Sequence, residues 1–143
     1  LGYAKLKSST LDASTIAELS RAEAKFPNAL FNAYYAEMLF IQGQPEEALI
    51  SVEKAISFEP DLGLAHLIRS KILLSQGLEQ SARDSLNASA ELTLQTSTHY
   101  RERGEILASL DLLDHPLSDL DNAISINPES PESYYIRSRI LNN

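Results

Sequence analysis

Apolar residues recur along this chain with the period of an α-helix. Ala29, Ala33, Ala36 and Leu39 follow one another at intervals of three or four residues, which places them on one face of a helix. Strand-like alternation of apolar and polar residues is missing from the sequence. The pattern therefore predicts an all-α chain.

Glycine and proline mark the ends of the predicted helices. Gly43 and Gly77 follow apolar-periodic runs, where the left-handed conformation open to glycine ends a helix. Pro116 and Pro131 suit a first helical turn, and Ser130 is predicted to cap the last helix. The short linkers make neighbouring helices antiparallel. The predicted helices span residues 12–25, 30–42, 45–58, 63–76, 79–93, 98–110, 116–126 and 131–142.

A period of 34 residues relates successive helix pairs. Small residues permit two helices to approach closely, and large aliphatic residues fill the space beside these contacts. In the first helix of each pair, the repeated residues are Ala36, Ser70, Gly104 and Ser138, and then Leu39, Leu73, Leu107 and Leu141. In the second helix they are Ala48, Ala82 and Pro116, then Ala55, Ser89 and Ala123, and finally Pro60, Leu94 and Pro128.

These residues resemble the tetratricopeptide repeat (TPR) family, whose units are helix–turn–helix pairs of the same length. The resemblance implies a right-handed superhelical solenoid of antiparallel helix pairs, as a single domain over residues 1–143. Because the repeat pattern runs into both ends, we expect a processed chain or a piece of a longer protein. The predicted units are a degenerate first repeat at 1–28, repeats at 29–62, 63–96 and 97–130, and the terminal helix of an incomplete repeat at 131–143.

The third complete repeat departs from the pattern of the family. Asp111 stands at the position of the turn glycine, and Pro116 replaces an alanine of the second helix. We therefore expect a longer turn in this repeat, with the second helix starting late.

An arginine also recurs in the first helices, at Arg69, Arg103 and Arg137. A row of guanidinium groups could bind anions, whereas an arginine at a helix–helix seam needs a carboxylate, because an unpaired buried charge is costly. A TPR variant carries such aspartates in its second helix, and Asp119 and Asp121 match it. We predict that Arg103 pairs with Asp119 or a neighbouring carboxylate.

Composition narrows the classes of partner. A net charge of −8, from 20 acidic and 12 basic residues, argues against nucleic acid, which requires clustered Lys and Arg. The chain has no cysteine, so it offers neither disulfides nor thiolate metal ligands. No apolar run reaches the roughly 18 residues of a membrane span. We expect a soluble chain without signal or transmembrane segment and without direct membrane insertion, and its compartment stays open.

Catalytic and metal-binding patterns are missing. His66, His99 and His115 do not form a His-Glu-x-x-His motif, and no serine lies in a Gly-x-Ser-x-Gly elbow. The five glycines never cluster into a phosphate-binding loop. The sequence therefore predicts no enzyme activity, no cofactor and no metal.

The resemblance implies a concave groove, lined by first helices, that binds a peptide or an amphipathic helix of a partner protein. We expect an exposed apolar strip in its N-terminal half and charged residues in its C-terminal half. The predicted groove residues are Leu30, Tyr34, Glu37, Phe40, Ile41, Leu64, Leu67, Ile68, Lys71, Arg101 and Glu105.

One known type of partner is disfavoured. TPR domains that bind the C-terminal carboxylate of heat-shock chaperones carry a Lys/Asn/Asn/Lys/Arg clamp. None of these residue types stands at the corresponding positions, which here hold Ala33, Glu37, Ile68, Thr98 and Glu102. We therefore predict that the chain is not a carboxylate-clamp binder of chaperone tails.

These observations predict a non-catalytic protein–protein interaction scaffold. Two alternatives stay open: a self-association or assembly module, and the TPR region of a larger multidomain protein.

Overall fold

The structure, a computed structural model, describes residues 13–25, 28–112 and 116–142. Residues 1–12, 26 and 27 of the predicted degenerate repeat at 1–28 lie outside them, as does His115. Within the described residues the chain forms eight helices, as the all-α prediction requires. They are α1 (Ala13–Lys25), α2 (Ala29–Ile41), α3 (Pro45–Phe58), α4 (Gly63–Ser75), α5 (Glu79–Ala90), α6 (Ser97–Ser109), α7 (Pro116–Ile126) and α8 (Pro131–Leu141).

The helices belong to two compact units, Leu1–Ser89 and Ala90–Asn143. In the first unit, α2 packs against α1, α3 and α4, and α3 also packs against α4. In the second unit, α6 packs against α7, and α8 contacts both of them. Each unit is thus built from sequential antiparallel helix pairs. None of the helices in the described part of the chain is long and apolar enough to cross a membrane.

The first helices α2, α4, α6 and α8 all start at one position of the repeat. The side chains of Asn28 and Thr96 accept hydrogen bonds from the backbone N–H of Phe31 and His99, at 3.0 and 3.1 Å. Ser130 occupies the predicted cap position, but its hydroxyl donates to the Glu132 carboxylate at 3.0 Å and makes no cap bond. The residues at this position are Asn28, Leu62, Thr96 and Ser130.

The turn inside each repeat uses a left-handed residue. Gly43 and Gly77 have φ of 78° and 75°, and Asp111 takes the same place with φ of 55°. The residue after each of them donates its N–H to the carbonyl five residues earlier, at 2.9 to 3.0 Å, which closes the helix end. The third turn therefore has the geometry of the first two, although it lacks glycine.

The start of the second helix in the third pair adjoins residues outside the described part of the chain. Adding the period of 34 to Glu79, the first residue of α5, gives 113, and the described part of α7 begins at Pro116. Because residues 113–115 are not described, the late start that Asp111 and Pro116 predict stays a prediction.

Helix α5 ends at Ala90, three residues before its predicted end. The backbone after it bonds to side chains of α6. The Leu92 carbonyl accepts a hydrogen bond from Arg103 Nη1 at 2.7 Å, and the Leu94 N–H donates to the Tyr100 hydroxyl at 3.1 Å. These two bonds connect the segment that follows α5 to α6.

Helices α6 and α7 meet most closely at Gly104. A Cβ atom on this glycine would lie 2.9 Å from the Pro116 carbonyl oxygen and 3.3 Å from side-chain atoms of Asp119 and Leu120. The repeated small residue is therefore a steric requirement in this pair, and here only glycine meets it.

We predict that Gly104→Ala destabilises the fold. Overpacking lowers the free energy of unfolding by about 1–3 kcal/mol, whereas the better helix propensity of alanine raises it by no more than about 1 kcal/mol. The free energy of unfolding in urea measures the difference. Ser138→Ala, at the same repeat position but exposed, is the control and should change stability by less than about 0.5 kcal/mol. Equal effects of the two substitutions would refute the steric argument.

The turn at Asp111 generates a second prediction. A non-glycine residue in the left-handed region is strained by about 1–2 kcal/mol, less for Asp than for most residues. Asp111→Gly should therefore raise the unfolding free energy by roughly 0.5 kcal/mol. The reciprocal change Gly77→Asp should lower it, and a thermal melt of both variants compares the two turns. A stabilised Gly77→Asp variant would contradict this reasoning.

Candidate partner-binding surface

Helix α2 lies mostly in the interior of the first unit. Nine of its 13 residues are buried, and it packs against α1, α3 and α4. A helix that is apolar around most of its circumference packs on several sides. Most apolar side chains of α2 therefore contribute to packing.

Four of the eleven predicted groove residues are buried. Tyr34 is 5% exposed, and Leu64, Leu67 and Ile68 are at most 1% exposed. An exposed apolar strip around these four side chains is thus not present, because their apolar surface is already removed from water within the fold. A partner could reach them only after the helices separate.

Five predicted residues of the first unit retain accessible surface. Ile41 is 71% exposed, at the C-terminal end of α2. Leu30, Glu37 and Phe40 of the same helix and Lys71 of α4 are half-buried. We refer to these five residues as the first-helix surface. It combines one largely exposed aliphatic side chain, Ile41, with partly covered apolar and charged groups.

A charged pair lies within this surface. Lys71 Nζ donates to Glu37 Oε1 at 3.4 Å, and both side chains are less than one-fifth exposed. The two residues are 34 positions apart and so share one repeat position. The next repeats place Glu105 and Arg139 there, so the sign of the charge alternates. This alternation was the sequence signal that could have identified the pair.

In the second unit, the predicted residues Arg101 and Glu105 lie one turn apart on α6. Arg101 is half-buried and Glu105 is exposed. Arg101 also acts on α8, where the pKa of Glu132 is lowered. The backbone N–H of Glu132 is the main cause, the Ser130 hydroxyl is the second, and the charge of Arg101 adds to both.

The repeated arginines bind carboxylates and hydroxyls of second helices. Arg103 Nε and Nη2 donate to the two oxygens of Asp119, each at 2.7 Å, and both side chains are at most 3% exposed. The predicted pairing is confirmed. Arg103 Nη1 also donates to the Leu92 carbonyl, so this guanidinium contributes to the packing of α6. Because its N–H groups bond within the fold, Arg103 does not support the interpretation of the three arginines as an anion-binding row.

The other two arginines use neighbours at the same sequence distance of 16 residues. Arg69 donates to Glu53 at 2.5 Å on one side and to the Ser85 hydroxyl at 2.6 Å on the other. Arg137 Nε lies 2.8 Å from Asp121 Oδ1, an ion-pair distance that lacks hydrogen-bond geometry. These pairs are more exposed than the Arg103 pair and therefore contribute less stability.

The described histidines make local hydrogen bonds. His66 Nε2 lies 2.6 Å from the Pro60 carbonyl oxygen, and His99 Nδ1 lies 2.9 Å from Thr96 Oγ1. His66 thus bonds to the turn that precedes its own helix.

An apolar depression on the second helix of the first complete repeat was missed by sequence reasoning. It is open, has a volume of about 660 Å³ and is lined mainly by residues of α3, among which Ile50 is 61% exposed. The signal was available, because Leu49 and Ile50 are apolar where the next repeat has Arg83 and Asp84. The lining residues are Glu46, Leu49, Ile50, Glu53, Lys54, Ser57 and Gln76.

The two aspartate pairs give a matched prediction. Asp119→Asn should destabilise the fold by roughly 3–5 kcal/mol, because it leaves the Arg103 charge buried without its carboxylate. Asp121→Asn should cost less than about 1 kcal/mol, since its pair with Arg137 is solvent-exposed. Urea unfolding followed by circular dichroism measures both. Similar losses for the two variants would show that burial of the Arg103 pair does not govern its contribution.

Comparison with known proteins identifies the fold. No family model matches the chain, and no curated protein matches its sequence. Among solved structures, YrrB, described as a TPR protein with an unusual peptide-binding site, superposes with a TM-score of 0.67 at 17% identity. The match covers 86% of this chain and 64% of YrrB, so the chain spans just under two-thirds of that protein.

Two further TPR structures are similar. A thermophilic TPR protein of Thermus thermophilus has a TM-score of 0.67 at 20% identity, over 92% of this chain and 73% of its own. The first TPR domain of human RPAP3 has a TM-score of 0.60 at 19% identity, over 80% and 90%. The first TPR of Spaghetti (RPAP3) has been solved with a bound HSP90 peptide, SRMEEVD. The chain therefore has the TPR fold, as the repeat predicts.

Proposed function

We propose that this chain is a non-catalytic interaction module that binds a peptide or an amphipathic helix of a partner protein on its first-helix surface. One observation carries the proposal. Ile41 is 71% exposed on a helix whose other apolar side chains are largely buried, and the same helix carries Glu37, which pairs with Lys71 of α4. An isolated accessible aliphatic group next to fixed charges suits recognition of one apolar side chain with polar neighbours.

The expected affinity follows from the small apolar area. Burying Ile41 would contribute about 1.5–3 kcal/mol, and the accessible parts of Leu30 and Phe40 would add to it. Association costs offset much of this gain. Binding in the micromolar to millimolar range is therefore expected for a short segment.

The charged pair defines the preferred chemistry of the partner. Glu37 and Lys71 present both signs of charge, so a segment with a donor and an acceptor near its apolar anchor fits better than a purely acidic tail. In the second unit, Arg101 and Glu105 again offer both signs one turn apart and are proposed contacts for charged groups of a partner.

The similar structures support peptide recognition, since YrrB is described by its peptide-binding site and the first TPR of Spaghetti (RPAP3) was solved with an HSP90 peptide. We do not extend the HSP90 peptide to this chain. Ala33 and Ile68 stand at clamp positions and are buried, and Glu37 and Glu102 at two others would repel an acidic tail.

A display selection tests the surface. A library of random 12-residue peptides is selected on the wild-type chain, and the affinities of the recovered peptides are then measured for two variants. Ile41→Asp should weaken binding roughly tenfold or more, because it replaces the apolar anchor by a charge. Ile50→Asp, which changes a similarly exposed isoleucine on α3, should leave the affinity unchanged.

Both variants alter exposed positions, so circular dichroism should report wild-type folding for each. The proposal fails if the selected peptides bind Ile41→Asp as well as wild type. Loss of binding in Ile50→Asp alone would instead assign recognition to the apolar depression along α3.

A further inference from the structure

Helix α3 carries an exposed ridge between two depressions. Ile50, Lys54 and Phe58 follow one another at intervals of four residues, which places them in one row along the helix, and we call this row the α3 ridge. Ile50 is 61% exposed and Phe58 is 54% exposed. Leu49 lines the depression of about 660 Å³, and Ser51 lines a second depression of about 240 Å³. These two residues point about 100° to either side of Ile50, so the depressions flank the ridge.

The repeat does not require apolar side chains on this surface. At the position of Ile50 the next two repeats hold Asp84 and Ser118, which are both exposed. At the position of Leu49 the next repeat holds Arg83. Because α5 and α7 form without an aliphatic residue at the position of Ile50, this isoleucine is not needed for the packing of α3.

The surroundings of the α3 ridge are acidic. Residues 45–61 contain five carboxylates and one ammonium group, and all six side chains are exposed. These residues are Glu46, Glu47, Glu53, Lys54, Glu59 and Asp61. Arg69 of α4 donates to Glu53, and with its guanidinium included the net charge of the group is −3. An apolar ridge with a negative border complements an apolar segment that carries lysine or arginine.

The stacking of repeats does not cover this surface. Helix α3 packs against α2 and α4, and the α3 ridge points away from both of them, since its residues are exposed. The repeat at 29–62 already has α1 before it and α4 after it along the chain. In a solenoid each repeat contacts only its neighbours, so a further repeat would extend the array and would not lie over α3.

We propose that the α3 ridge is a second binding surface, and that its partner is a basic amphipathic helix of another protein. The apolar side chains of that helix lie against Ile50 and Phe58 and enter the two depressions, as ridges of one helix pack into grooves of another. Its lysine or arginine side chains face the surrounding carboxylates. A second copy of this chain fits less well, because contact between the two α3 ridges would bring the same glutamates of both copies together.

A peptide of leucine and lysine probes this surface. The probe has about 14 residues, with leucines at the helical period, so that one face is apolar and the other basic. Fluorescence anisotropy of a rhodamine label follows its binding to the full 143-residue chain. Binding is expected on the order of 100 μM, because association costs offset much of the gain from a small apolar contact. The same peptide with glutamate in place of every lysine should bind roughly tenfold more weakly or not at all.

Three serine variants locate the contact. Ile50→Ser should weaken binding of the leucine–lysine probe roughly tenfold or more, because it removes the apolar side chain between the two depressions. Ile126→Ser, which changes an isoleucine of similar exposure at the end of α7, should leave the affinity unchanged. Ile41→Ser should also leave it unchanged, so failure of the first-helix surface and failure of the α3 ridge are distinguishable.

Two glutamine double variants test the acidic border. Glu46→Gln combined with Glu47→Gln should weaken binding of the probe about fivefold and reduce its dependence on salt, because two carboxylates beside Ile50 lose their charge. Glu105→Gln combined with Glu129→Gln is the matched control, since it removes two exposed carboxylates of the second unit. This control should change the affinity by less than about twofold.

Three outcomes would overturn the proposal. The first is that the leucine–lysine probe does not bind at millimolar chain concentration. The second is that it binds Ile50→Ser as tightly as wild type, or that the leucine–glutamate peptide binds as tightly as the probe. The third is sedimentation showing a wild-type dimer that Ile50→Ser dissociates, which would make a second copy the occupant. Circular dichroism melts establish that each variant keeps the wild-type fold, so that lost binding does not reflect unfolding.

Discussion

Close approach of paired helices is the constraint on which the rest of this fold depends. A small residue in each first helix lets the second helix lie near enough for its own side chains to fill the core. The constraint is tightest at Gly104, where the Pro116 carbonyl occupies the space that a Cβ atom would need. The glycine and the position of Pro116 therefore belong together, since the Pro116 carbonyl lies against Gly104.

The same proximity explains why arginines occur at the helix seams. A guanidinium beside two close helices loses its water and must find acceptors nearby. Arg103 obtains three such bonds, from Asp119 and the Leu92 carbonyl, and these end α5 early and orient α7 on α6. Arg69 and Arg137 lie at more open seams. Arg69 donates one bond to Glu53 of α3 and one to Ser85 of α5, and Arg137 pairs with Asp121 of α7. The same repeat position thus holds a buried arginine in one repeat, Arg103, and partly exposed arginines in two others, Arg69 and Arg137.

Most of the fold could be predicted because its information is local and periodic. Helix ends follow from capping and left-handed residues, and the pairing of Arg103 with Asp119 follows from a fixed offset within one repeat. The binding surface could not be read in the same way. Tyr34, Ile68 and Ile41 are all apolar first-helix residues, yet only Ile41 is exposed. Apolar periodicity shows that a side chain will be covered, and it cannot distinguish cover by the fold from cover by a partner.

The sequence by itself determined the helices, the turns, the 34-residue register and the residues that meet within each pair. Only the tertiary structure decided which chemically equivalent positions remain open to solvent. Leu107 and Leu141 occupy the same repeat position, but Leu107 is 1% exposed and Leu141 is 59% exposed. The reason is physical: helix formation depends on neighbours a few residues away, whereas accessibility depends on whether another helix lies over the face.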